Sequence, residues 1–115
     1  MQIQIKRAYA EVSPSDGKRI LVDRLWPRGI KKEDAKIDLW AKEITPSTEL
    51  RKWYAHDPEH WDEFQQRYRA ELRSQAELLQ QIREIAKQEK ISLITAAKSE
   101  RYNHVIVLKQ VLEER

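Results

Sequence analysis

The sequence predicts an α/β domain, a mainly parallel central sheet of about four strands flanked by helices. Three observations lead there. Two short runs, Ile20 to Val22 and Ile91 to Ala97, are apolar enough to be strands buried on both faces. Between them, apolar residues recur every three or four positions, which is the helical period. Strands separated by helices also favour parallel pairing, because a parallel pair needs a long crossover.

Taken in order, Ile3 and Ile5 alternate with glutamines and read as a first strand, and Pro14, Asp16 and Gly17 supply turn chemistry after it. Ile20 to Val22 is the second strand, stopped by Pro27, which cannot donate to a ladder. "IDLWAKEI" at 37–44 reads as a third extended segment, with a short helix as its alternative. Thr45 before Pro46, or Ser47 before Glu49 and Leu50, starts a short helix through Trp53. Asp57 before Pro58 starts another, since aspartate accepts free amides and proline tolerates the first turn. Trp61, Phe64, Tyr68 and Leu72 form one apolar stripe, and Leu78, Leu79, Ile82, Ile85 and Ala86 the next. After the strand at 91–97 and a polar loop, Val105, Leu108, Val111 and Leu112 define the last helix. The whole is a Rossmann-like layering within one domain spanning residues 1–115, since 115 residues leave no room for a second.

Composition removes several kinds of chemistry. There is no cysteine, hence no thiol nucleophile, thiolate metal site or disulfide. Only Gly17 and Gly29 are present, so neither a dinucleotide fingerprint nor a P-loop can be built, and a phosphate would have to be held by side chains or a helix N-terminus. The formal net charge of +3 admits acidic ligands and nucleic acid without selecting either. No signal-peptide core or membrane-length apolar run is present, so a cytoplasmic location without membrane contact is expected.

Ligands of open α/β sheets bind at the carboxyl ends of strands, which selects residues 23–32 and 98–104. In "VDRLWPRG", Asp23 at a buried strand end must be paired, hydrogen-bonded or protonated. Two readings stand side by side: an internal clamp between Asp23 and its own arginines, or one arginine holding Asp23 while the other grips a carboxylate or phosphate. Arg24 and Arg28 are the candidate anion ligands, and Asp23 orients one of them or, with a raised pKa, serves as general acid or base. Trp26 packs in the loop or stacks on a ring. In "AAKSERYNH", Ser99 or Asn103 caps the final helix, and Lys98, His104 and exposed amides surround an anion or are simply solvated. His56 and His60 are four apart, but Pro58 places His56 outside the helix, so no metal site is expected.

"LVDRLWPRG", "IDLWAKEITPSTELRKWYAHDPEHWDEFQQRYRAEL" and "LITAAKSERYNHVIVLKQVL" together resemble the YeaO-like proteins, a bacterial and archaeal family classed as a domain of unknown function. The resemblance spans nearly the entire chain. It implies a small cytosolic protein and brings with it no activity, cofactor or catalytic residue set. The expectation is therefore a protein that binds an anionic, phosphorylated or nucleotide-like small molecule. The alternative is a non-enzymatic nucleic-acid or protein-interaction module.

Overall fold

In the computed structural model, which describes residues 1–114, four strands form one parallel sheet in the order β1-β4-β2-β3. They are β1 (Ile3–Arg7), β2 (Lys18–Leu21), β3 (Leu39–Trp40) and β4 (Ile91–Thr95). The helices are α1 (Lys32–Ala35), α2 (Thr48–Tyr54), α3 (Trp61–Leu72), α4 (Ala76–Gln88) and α5 (His104–Glu113). β4 pairs Ile3 with Ile91 on one side and Lys18 with Ile91 on the other, so the last strand to be synthesised is central. Every β4 residue is buried, as the apolar run requires.

The helix starts follow the local chemistry. Ser47 Oγ accepts from the Leu50 amide, Asp57 from Glu59, and Asn103 from both Val105 and Ile106. Pro58 opens a single 3-10 turn that runs directly into α3. "IDLWAKEI" resolves into both of its alternatives: a two-residue strand followed by a 3-10 turn at Lys42–Ile44.

The two faces of the sheet are covered differently. Ile20, Val22, Ile91 and Leu93 pack against Leu50, Phe64, Tyr68, Ile82, Val105 and Leu108, so α2 to α5 share one face. On the other, Leu21 and Ile94 meet Ala8, Trp26, Ile30, Ile37 and Trp40, all from β3 and from segments near the strand ends. The chain therefore leaves β1 and β2 over the second face and leaves β4 over the helical one.

Polar residues of the second face hold the strands together from that side. Asp16 accepts from Lys6 (2.7 Å) and Arg19 (2.6 Å), and its carbonyl accepts from the buried Ser92 hydroxyl (2.7 Å). Arg19 also donates from Nε to the Ala35 carbonyl at the end of α1. Burial pushes the Asp16 carboxyl up, but hydrogen bonds from Lys6, the Ser13 amide and Arg19 outweigh it and hold the pKa at about 2. Next to it, Gly17 has φ +66°, and a Cβ there would stand 2.0 Å from the Lys90 carbonyl oxygen.

Because the folded pKa of Asp16 lies below its unfolded value near 3.8, its contribution is complete above about pH 5 and is lost as pH falls through the folded value of about 2. In urea titrations Asp16→Asn should cost about 3 kcal/mol at pH 7 and flatten that acid limb. Gly17→Ala should destabilise by more than about 2 kcal/mol, since it adds a backbone clash to a left-handed conformation. Gly29→Ala, with φ +84° but open space around it, should cost only about 1 kcal/mol in the same assay.

Candidate functional site

The loops after β2 and β4 diverge over opposite faces, which makes the gap between their carboxyl ends a topological switch point. Asp23 fills it. Its Oδ1 accepts from the Thr95 hydroxyl (2.7 Å) and its Oδ2 from the Ala96 amide (2.7 Å). His104 Nε2 lies 3.3 Å from Oδ1 and 2.6 Å from the Val22 carbonyl oxygen. One carboxylate thus ties the end of β2 to the end of β4 and to the first turn of α5.

Both contacts of His104 Nε2 are acceptors, so that nitrogen carries the proton. In the neutral ring Nδ1 is then the acceptor, and among the described residues nothing engages it. The side chains of Asp23 and His104 remain 15% and 17% exposed, so the cluster is a floor reached by solvent, not a sealed core pair. Burial raises the Asp23 pKa, while hydrogen bonds from His104, the Ala96 amide and Thr95 lower it further than burial lifts it, and the net shift is downward. That direction is opposite to a carboxyl kept protonated as a general acid.

The expected partnership of Asp23 with its own arginines is corrected here. Arg24 turns away and donates to the carbonyls of Pro46 (3.1 Å from Nη2) and Thr45 (3.5 Å), pinning the loop to the segment before α2. It also borders a shallow depression of 280 Å³ in which Glu43 and Glu71 are the other charged groups, an unfavourable lining for an anion. Arg28 is exposed, with its carbonyl held by the Tyr9 hydroxyl (3.1 Å). Trp26 is half-buried against Trp40, with Nε1 donating to the Ile30 carbonyl, so it packs in the loop.

The second stretch divides in the same way. Asn103 caps α5, and Ser99 Oγ accepts from the amides of Arg101 and Tyr102, so both side chains and the helix's first amides are already used. Lys98 is exposed, and among the described residues neither it nor Arg28 pairs with a carboxylate. Of the sequence candidates, the structure joins Asp23 and His104 directly, while Arg28 and Lys98 lie exposed on the loops that leave the same end of the sheet. Thr95 was not anticipated, although a hydroxyl closing an apolar strand was its signal. His56, with φ +57°, lies outside any helix, and His60 stacks on Trp53 at 4.7 Å. Among the described residues no three His, Asp or Glu side chains converge as metal ligands do.

A parallel α/β sheet with a polar cluster at its switch point defines the class of protein. The chain belongs to the inactive DUF488-N3 subclade, whose family model matches residues 2–115. It is 48% identical over 108 residues to the uncharacterised protein YeaO of Escherichia coli, covering 94% of each chain. It is 40% identical over 114 residues to the uncharacterised proteins Rv3073c of Mycobacterium tuberculosis and Mb3100c of Mycobacterium bovis, covering 99% of this chain and 96% of theirs. No solved structure matches it significantly. Among the described residues no helix is long and apolar enough to cross a membrane.

Asp23→Asn should lower stability at pH 7 by about 1–3 kcal/mol, because an amide cannot accept at both positions and leaves a buried donor unpaired. The lowered folded pKa gives the sign of the pH effect. Wild-type stability from this group is present above the unfolded carboxyl pKa and falls as acid titrates the folded one. Thermal denaturation of the two proteins between pH 7 and pH 3 should therefore converge on the acid side.

Proposed function

We propose that this protein binds an anionic, phosphorylated small molecule on the open rim at the carboxyl ends of β2 and β4, and that it does so without catalysing a reaction. The observation that supports this reading is the hydrogen-bonded Asp23–Thr95–His104 floor at the switch point, together with Arg28 and Lys98, which are exposed on the loops leaving the same strand ends and, among the described residues, pair with no carboxylate. Asp23 orients the His104 imidazole, and Nδ1 is the ring nitrogen left for the ligand. Asp23 then holds the imidazole and transfers no proton itself, in keeping with its lowered pKa. The description of the subclade as inactive supports a binding role in the same direction.

A second reading is a nucleic-acid module. What favours it is the openness of the rim, where Arg7, Arg28, Lys98 and Arg101 are all exposed and could follow an extended backbone.

A thermal-shift screen with inorganic phosphate, sugar phosphates, nucleotides and dicarboxylates tests the first reading, since a ligand that prefers the folded state raises the melting temperature. The expected outcome is a shift from a phosphorylated compound that Arg28→Ala and Lys98→Ala each reduce and Lys87→Ala leaves unchanged. Absence of a shift from every anion would sink the reading. In the second reading, oligonucleotide affinity should fall steeply between 50 and 200 mM salt, on the order of tenfold or more.

A further inference from the structure

The rim also carries an aromatic ring that neither reading uses. Tyr9 is 52% exposed, yet it is not a freely rotating surface side chain. Its backbone follows Ala8, which is buried and donates to the Thr95 carbonyl (2.7 Å), and it sits in the turn closed by Ala10 donating to Arg7 (3.1 Å). At its far end the hydroxyl donates to the Arg28 carbonyl (3.1 Å). The ring is thus held at both ends, bridging the exit of β1 to the loop after β2. The Arg7 guanidinium lies 5.9 Å from its centroid, and the exposed Arg28 side chain leaves from the residue that anchors the hydroxyl.

A fixed, half-exposed aromatic ring loses little entropy when something stacks on it, and with the Arg7 guanidinium over one face the opposite face is the π surface left for a planar group. Trp26, the aromatic residue of this rim that the sequence singles out for stacking, has its ring packed on Trp40 and its Nε1 committed to Ile30. Of the two, Tyr9 has the more exposed ring.

Building on the anion-binding reading, we propose that the ligand is a nucleoside phosphate, its base stacked on Tyr9 and its phosphate held by Arg28 and Lys98. The chemistry combines a planar aromatic system with an anion. A sugar phosphate satisfies only the second requirement and a free nucleoside only the first. The same chemistry occurs in a free nucleotide and in the end of a single strand.

Calorimetric titration of the intact protein with AMP, adenosine, ribose 5-phosphate and a short oligo(dA) tests this. AMP should bind roughly tenfold or more tightly than ribose 5-phosphate, the scale of one base–aromatic stack. Tyr9→Ala should bring AMP down to the level of ribose 5-phosphate, while Tyr9→Phe, which keeps the ring and loses the hydroxyl anchor, should retain most of the gap. Circular dichroism of each variant confirms the fold. If AMP and ribose 5-phosphate bind equally and Tyr9→Ala changes neither, the base assignment is overturned and the anion site stands. If no phosphate binds, both fall together. Tight binding of oligo(dA) alone, lost in Tyr9→Ala, supports the stack and identifies a single strand as its source.

Discussion

The sheet depends on one pairing constraint: β1 and β2 share no hydrogen bonds, and each is held through β4. Parallel strands cannot be joined by a tight turn, so β4 must be delivered by the long helical segment between residues 41 and 90. That segment covers one face of the sheet and accounts for most of the core. The loops after β1 and β2 cover the other face and start from the same carboxyl edge. The switch point is a consequence of this order: right-handed connections that step from β1 to β2 to β3 cover one face, and the one that steps back from β3 to β4 covers the other.

Two carboxylates stabilise the insertion from different places. Asp16 gathers Lys6, Arg19 and Ser92, and so touches β1, β2 and β4 at once. Asp23 gathers Thr95, Ala96 and His104 at the carboxyl ends. Both are held ionised against the cost of burial by several donors each, which is the condition for tolerating such groups inside a small domain. The difference lies in access: the Asp16 side chain is 2% exposed, whereas Asp23 and His104 meet solvent. The first cluster is structural, and the second is both structural and available.

How much of this was legible in the sequence follows the range of each interaction. Caps at Ser47, Asp57 and Asn103 and the stripe from Trp61 to Leu72 involve neighbours within a few residues, and their residue types and spacing announce them. β4 was legible because burial on both faces leaves a short apolar run. The partner of Asp23 was not: Thr95 is 72 residues away, while Arg24 and Arg28 are close in sequence and chemically suitable. Proximity along the chain misled because a strand end points its successive side chains in different directions. Arg24 reaches the carbonyls of residues 45 and 46 instead. Asp16 looks like turn chemistry in the sequence for the same reason, its partners lying on strands that only the fold brings near.

The grip of Arg24 on Thr45 and Pro46 also limits how far the loop after β2 can move. It fastens the loop after β2 to the base of α2, while the carboxylate of Asp23 fastens the same loop to β4 and α5. A loop tied to three parts of the scaffold is a poor lid. Whatever arrives at this edge meets a surface already in its final shape, so little ordering has to accompany contact. For the ligand proposed above, association would then be governed by diffusion and by the field of the exposed cations, and departure by the contacts alone, with no opening step. An edge built this way is suited to rapid exchange with its surroundings, not to long storage.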